Sequence, residues 1–127
     1  MYMIKGIHHV SMKCSDPELF SEAVSFYKDI LGMKLLRRWD AGVMLDTGGG
    51  LLEIFNNGEG SRETGAVRHF ALAADNTDEI IDRVRKAGYE VFIEPKDIVI
   101  ASEPPLPARI AFFRGPLNEE VEIFQEY

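Results

Sequence analysis

Two histidines and two glutamates recur in a repeated arrangement along this chain. In the first half, His9 lies in an apolar segment near the beginning and Glu53 lies in the segment Leu-Leu-Glu-Ile-Phe near the end. In the second half, His69 and Glu122 follow in the same order in comparable segments. Imidazoles and carboxylates are common ligands of divalent transition metals. The repeat therefore predicts that the four side chains bind one divalent metal ion.

Two glutamates in one site need a compensating charge. At about 4 Å and an effective dielectric constant of about 20, two carboxylates repel each other by roughly 4 kcal/mol. Either one of them holds a proton or a cation neutralises both. Two neutral imidazoles favour the cation, and a set of two His and two Glu suits Ni, Zn, Co, Mn or Fe(II). Calcium and magnesium prefer more oxygen ligands.

Side-chain alternation predicts that the four residues share a face. Successive side chains of a strand point to opposite sides, and aliphatic residues flank each of the four, such as Val10 beside His9 and Leu52 beside Glu53. We expect the aliphatic faces to pack under helices and the other faces to line a cup. A single His or Glu is more often structural or solvated. His8, on the helix-facing side by alternation, is interpreted in that way.

Each half predicts a strand, a helix and three further strands. The first helix begins at the cap Asp16-Pro17-Glu18 and ends at Gly32, and the second begins after Asn76 and ends at Gly88. The predicted strands cover 4–14, 33–39, 42–47 and 50–56 in the first half, and 67–74, 89–94, 107–114 and 120–126 in the second. Residues 56–61 are typical of a linker, and the prolines of 101–107 predict a loop.

These elements predict a single α+β domain over residues 1–127. It would contain two βαβββ modules in tandem, about 1–63 and 64–127, forming a cupped, mostly antiparallel sheet with a helix on the outer face of each module. A module of about 60 residues would be marginal alone, so we expect the two to pack as one unit.

Composition mainly excludes classes of partner. The 127 residues are 46% hydrophobic and carry a net charge of −7, which argues against nucleic acid and against anionic membranes. The N-terminal residues lack the apolar run of a signal peptide, and no stretch approaches a membrane-spanning length. The single Cys14 suits a reducing compartment, so a cytoplasmic location is expected.

The motifs resemble the vicinal oxygen chelate superfamily, which includes glyoxalase I, methylmalonyl-CoA epimerase, extradiol dioxygenases and the fosfomycin and bleomycin resistance proteins. The resemblance covers essentially the whole chain. The segments that carry it are 9–16, 26–35, 65–72 and 112–123. The last segment departs from the usual Asp-Pro-Asp-Gly turn, because Gly115, Leu117 and Asn118 replace the first Asp, the second Asp and the Gly. Asn tolerates a left-handed backbone, so the turn is expected to survive.

The resemblance assigns the metal ligands to His9, Glu53, His69 and Glu122. This pattern is similar to that of bacterial glyoxalase I (lactoylglutathione lyase). It implies a metal-dependent lyase or isomerase that acts on a small vicinal-oxygen substrate through an enediolate. By the same resemblance, Glu122 is the base that moves the proton, and Glu53 can take the mirrored role.

The resemblance also suggests substrate contacts and a partner. Lys13 lies where glyoxalase I has an arginine, and Asn57 corresponds to an asparagine of that enzyme; both contact glutathione there. By residue type rather than by resemblance, Phe55 could form a wall of the cup and Arg109 could supply positive charge to the substrate, although core packing and a solvated face are the commoner roles of such residues. Family members often pair, so a homodimer is expected, with the four ligands coming from one chain or from two.

Two other functions are compatible with this sequence. An Fe(II) dioxygenase of the same superfamily would need open coordination positions, and a fourth ligand at Glu53 argues against it. A bleomycin-resistance-like protein that binds or sequesters a small molecule is the other alternative. Bound iron with oxygen consumption would indicate the dioxygenase, and turnover of an α-hydroxycarbonyl compound would exclude sequestration.

Overall fold

The computed structural model describes residues 7–58 and 68–127, and the chain divides into two compact units, Met1–Ser61 and Arg62–Tyr127. Unit 1 contains β1 His9–Lys13, α1 Pro17–Ser25, β2 Lys34–Trp39, β3 Gly42–Asp46 and β4 Leu51–Phe55. Unit 2 contains β5 Phe70–Ala73, α2 Thr77–Lys86, β6 Val91–Ile100, β7 Leu106–Arg114 and β8 Glu120–Glu126. Parts of three predictions lie outside the described residues: the start of the first strand at 4–6, the linker residues 59–61, and Val67 with the module boundary near 63.

Each unit has its own four-stranded sheet with the same topology. The strand order is β1-β4-β3-β2 in unit 1 and β5-β8-β7-β6 in unit 2. In each sheet one pair is parallel, β1 with β4 and β5 with β8, and the other two pairs are antiparallel. The predicted α+β class and the two βαβββ modules in tandem are therefore confirmed.

Both helices begin at the predicted caps. The Asp16 carboxylate accepts hydrogen bonds from the N–H groups of Glu18 and Leu19 at 2.9 and 3.4 Å, and Pro17 occupies the first turn. A π-helical turn, Phe26–Ile30, follows α1 before the chain reverses at Gly32, where φ is +76°. The Asn76 side chain caps α2 by accepting from the N–H of Glu79 at 3.1 Å. Such caps satisfy backbone donors that have no partner within the helix.

The aliphatic face of each sheet forms the core. Helix α1 packs against β4, and α2 packs against β6, β7 and β8. Residues that are at most 2% exposed on these faces include Leu52 and Ile54 in unit 1 and Val121 and Ile123 in unit 2. Each such side chain contributes roughly 1.5–3 kcal/mol when it is fully buried. The helices themselves are short, and no helix within 7–58 or 68–127 is long and apolar enough to span a membrane.

Strand β6 is longer than predicted, and the loop after it is shorter. The strand continues through Pro95, which lies between Ile93 and Lys96, where the register with β7 shifts. A proline is tolerated at such an irregularity of an edge strand, because no ladder hydrogen bond needs its missing N–H. Strand β7 begins at Leu106, inside the predicted loop 101–107. Pro107 contributes its carbonyl, which accepts from the N–H of Tyr127 at 3.3 Å.

The turn between β7 and β8 keeps the expected geometry despite its altered sequence. The N–H of Asn118 donates to the Gly115 carbonyl at 3.0 Å, and the N–H of Gly115 donates to the Glu119 carbonyl at 2.9 Å. Asn118 has φ of 66°, in the left-handed region. The prediction that an asparagine could replace the usual glycine is confirmed. The turn matters for the site because β8, which carries Glu122, begins directly after it.

Replacing Asn118 by valine should destabilise the protein by about 1–2 kcal/mol, because a β-branched residue is strained in the left-handed conformation. Asn118→Gly is the matched variant, since glycine adopts that conformation without strain. The free energy of unfolding from urea titration measures both. Equal losses for the two variants would show that a side-chain contact of Asn118, and not its backbone, stabilises the turn.

Candidate functional site

In unit 1 the structure brings His9 and Glu53 together. Glu53 lies in the middle of β4 and pairs with Ser11 of the parallel strand β1. Directly paired residues point to the same side of a sheet, and His9 is two residues before Ser11, so it shares that side. His9 Nε2 lies 3.6 Å from Glu53 Oε1, and the two side chains are 39% and 10% exposed.

Unit 2 repeats this pair. Glu122 of β8 pairs with Ala71 of the parallel strand β5, and His69 is two residues before Ala71. His69 Nε2 lies 3.2 Å from Glu122 Oε1, and the side chains are 30% and 12% exposed. We call the side of each sheet that carries such a pair its His/Glu face. The same register thus produces the same pair twice.

The separations within the pairs fit two ligands of one transition metal ion. Two ligands about 2.0–2.2 Å from a metal, at an angle of about 90–110°, lie about 2.8–3.6 Å apart. Both pairs fall within this range, and both are longer than the about 2.7–2.9 Å of a charge-assisted hydrogen bond. Imidazole nitrogen and carboxylate oxygen are also the appropriate donors. Each pair therefore fits half of the predicted ligand set.

The structure brings the four predicted ligands together as two pairs, one in each unit. Within residues 7–58 and 68–127 there is no group of three or more His, Cys, Asp or Glu side chains that could hold a metal ion. The site of four ligands accordingly stays a prediction.

Burial raises the pKa of the Glu122 carboxyl above its ordinary value. The largest cause is desolvation, and the neighbouring His69 lowers the pKa by its charge and hydrogen bond without cancelling that effect. A carboxylate in such surroundings is a stronger base than one in water. Raised pKa values of this kind are frequent at catalytic sites.

Aromatic side chains lie beside the pair in unit 2. Phe112 pairs with Glu122 across β7 and β8, and its ring contacts the His69 ring edge-to-face at 5.0 Å between centroids. The Phe92 ring lies 5.7 Å from Phe112, and the Arg114 guanidinium lies 4.5 Å above Phe92. Sequence reasoning missed Phe112 and Phe92. Alternation places Phe112 on the His/Glu face only once its register with Glu122 is known.

The surroundings of the pair in unit 1 are different. Met44 takes the place opposite Glu53 that Phe112 takes opposite Glu122, and Arg37 donates to the Met44 sulfur at 3.7 Å. The imidazole of His9 contacts that of its neighbour His8, with 3.0 Å between the two Nδ1 atoms. His8 is exposed, in agreement with one of the two roles expected for it.

The structure places only some of the predicted substrate contacts on a His/Glu face. Lys13 pairs with Phe55 across β1 and β4, so both lie on the His/Glu face of unit 1, and the Phe55 ring lies 5.7 Å from the Trp39 ring. Asn57 is exposed just after β4. Arg109 lies on the opposite face of its sheet, three residues before Phe112.

The charge of Arg109 is already paired. Its guanidinium donates to both carboxylate oxygens of Asp78 at 2.7 and 2.9 Å and to Asp97 at 3.2 Å. The contacts with Arg109 lower the pKa of Asp78. The pKa of Asp97 is lowered first by a hydrogen bond from the Tyr127 hydroxyl and second by Arg109. The contacts of Arg109 connect the start of α2 to β6 and β7. The structure therefore does not bring Arg109 to the His/Glu face of unit 2.

Comparison with known proteins supports one superfamily. The model of the Glyoxalase/Bleomycin resistance protein/Dioxygenase superfamily matches residues 6–102, a range that contains His9, Glu53 and His69 and ends before Glu122. The uncharacterized protein YwkD of Bacillus subtilis is 24% identical over 136 residues, covering 98% of this chain and 99% of its own length.

Solved structures share the fold. A glyoxalase family protein from Enterococcus faecalis is 23% identical with a TM-score of 0.73, covering 97% of this chain and 99% of that one. A lactoylglutathione lyase from Agrobacterium tumefaciens is 18% identical with a TM-score of 0.70, covering 96% and 94%. Since the superfamily model matches well over half of the residues, this chain belongs to the Glyoxalase/Bleomycin resistance protein/Dioxygenase superfamily.

Proposed function

We propose that this protein is a metal-dependent lyase or isomerase of the glyoxalase type. Its substrate would be a small molecule with two vicinal oxygens, between whose adjacent carbons a proton is moved. His9, Glu53, His69 and Glu122 would hold one divalent ion, Ni, Zn, Co, Mn or Fe. The observation that carries the proposal is the recurrence of a His–Glu pair with ligand-like separation, 3.6 Å in one unit and 3.2 Å in the other.

The chemistry divides between the ion and one carboxylate. When bound, the ion supplies Lewis acidity that stabilises negative charge on the substrate oxygens. Glu122, loosened from the ion, would take a proton from one carbon and return it to the next. Glu53, which is similarly buried, can take the mirrored role.

Glutathione-linked substrates deserve the first test. The structurally similar Agrobacterium protein is a lactoylglutathione lyase by name, and this supports assaying the hemithioacetal of methylglyoxal and glutathione. Here Lys13 stands in place of an arginine, and a lysine lacks the planar fork that binds a carboxylate through two hydrogen bonds. With Arg109 on the opposite face, contacts to the peptide would fall to Lys13 and Asn57. A panel of hydroxycarbonyl substrates without glutathione should accompany the assay.

The proposal includes a homodimer, and its ligands would come from one chain or from two. Mixing Glu53→Gln chains with Glu122→Gln chains distinguishes these arrangements. If each site uses both chains, a mixed dimer contains one site with all four ligands, and metal binding returns. If each site uses one chain, every site lacks a glutamate and mixing restores nothing.

Removing either glutamate should weaken metal binding. Glu53→Gln and Glu122→Gln each replace an anionic donor by a neutral one, so affinity should fall by at least about tenfold. Elemental analysis and chelator competition measure metal content and affinity. Glu126→Gln, at an exposed position on the same strand as Glu122, is the control and should bind as the unaltered protein does. A protein that takes up no transition metal in any variant would disprove the proposed centre.

The base role of Glu122 is tested separately, at metal concentrations that saturate the variant. Glu122→Gln should then lower kcat by about 10²–10⁴, the usual contribution of a general base. Incorporation of deuterium from the solvent into the product reports on the same proton transfer. A metal-loaded Glu122→Gln protein with unchanged turnover would contradict this role. Glu126→Gln again provides the control.

Stability of the metal-free protein should depend on pH through Glu122. Because its pKa is raised in the folded state, folding favours the protonated carboxyl, and this contribution is lost as the pH rises through the raised pKa. Glu122→Gln should therefore match the unaltered protein in acid and become more stable at neutral pH, by on the order of 1 kcal/mol. Urea unfolding across the pH range above about 4.3, the ordinary glutamate pKa, measures the difference. A difference that does not vary with pH would contradict the expectation.

A further inference from the structure

His8 and His9 form a hydrogen-bonded pair of imidazoles. Their Nδ1 atoms lie 3.0 Å apart, and the rings are nearly perpendicular, with centroids 5.2 Å apart and an interplanar angle of 86°. The backbone of His8 is also held, since its carbonyl accepts from the N–H of Leu51, the first residue of β4, at 3.1 Å. His8 is therefore fixed beside the strand that carries Glu53.

When an ion is bound, the direction of this hydrogen bond follows from which nitrogen of His9 faces Glu53. A neutral imidazole carries one proton, on Nδ1 or on Nε2. Nε2 of His9 faces the Glu53 carboxylate, so Nε2 is the atom that would offer its lone pair to an ion. The proton must then lie on Nδ1, and the Nδ1 atom of His8 is the acceptor within reach. Ligating histidines usually donate their other N–H to a carboxylate, a backbone carbonyl or water, which fixes their tautomer and ring orientation; here an imidazole nitrogen would take that place.

We propose that His8 is a positioning residue that holds His9 in the tautomer and orientation needed to bind the metal ion. The inference rests on the proposed function, because it concerns one of the proposed ligands. It also changes the interpretation of His8, which was expected to be structural or merely exposed. His8 has this role because its Nδ1 accepts the hydrogen bond from His9.

Unit 2 orients its histidine differently. Arg68 precedes His69 as His8 precedes His9. An arginine side chain has only donors and cannot accept an N–H from an imidazole. The His69 ring instead rests edge-to-face on Phe112 at 5.0 Å. Replacing Arg68 should therefore not move His69, which makes Arg68→Leu a matched control.

The test compares the zinc affinity of four full-length proteins by chelator competition. His8→Leu removes the acceptor and should lower affinity by about tenfold or more, the usual effect of losing such a partner. His8→Asn places an amide oxygen near the former Nδ1 and should restore most of the affinity. Arg68→Leu should not weaken binding. In the zinc-loaded unaltered protein, nitrogen NMR should show the His9 proton on Nδ1.

The affinities of the variants decide whether His8 positions His9. Unchanged affinity in His8→Leu overturns the role of His8, while zinc binding by the unaltered protein leaves the proposed function intact. Equal losses in His8→Leu and His8→Asn also overturn it, because the acceptor would then be irrelevant. Failure of the unaltered protein to bind zinc overturns this inference, and failure to bind any of Ni, Zn, Co, Mn and Fe removes the proposed function as well. Thermal unfolding of metal-free His8→Leu should match the unaltered protein, and a large fall would indicate a structural role instead.

Discussion

The parallel pairing of the first and last strand of each unit is the constraint on which the site depends. In a parallel pair, directly opposed residues share a face, and residues two apart on one strand share it too. Pairing Ser11 with Glu53 therefore brings His9 to that glutamate, and pairing Ala71 with Glu122 does the same for His69. A shift by one residue would turn the histidine toward the helix. The helix between the strands makes this pairing possible, since parallel neighbours need a crossover.

The same register buries two carboxylates, and this burial opposes folding. Glu53 and Glu122 are 7% and 9% exposed, although buried carboxylates are unfavourable unless they are paired. In the structure each has one imidazole nearby, at a distance longer than a strong hydrogen bond. Burial raises the pKa of the Glu122 carboxyl, and the nearby His69 lowers it without cancelling that effect. A cation would neutralise the charge, which is why the cost itself supports the proposed function.

Sequence alone predicted the elements whose signals are local. The caps at Asp16 and Asn76 and the left-handed Asn118 depend on neighbouring residues and are found as expected. Alternation likewise identified the faces of the two His–Glu pairs, because it needs no knowledge of the partner strand. The length of β6 was not predicted, since a proline normally ends a strand and only the register shift beside Pro95 accommodates it. The ion pair between Arg109 and Asp78 was not predicted, because the two residues lie 31 positions apart and no local pattern connects them.

The unlike residues opposite the two glutamates, Met44 in one unit and Phe112 in the other, affect how each His/Glu face can respond to a bound molecule. Duplicated modules begin as equals, but a flexible thioether and a rigid aromatic ring no longer offer equivalent surfaces. The His/Glu face of unit 1 can therefore change shape around a bound molecule, whereas that of unit 2 presents a fixed aromatic surface.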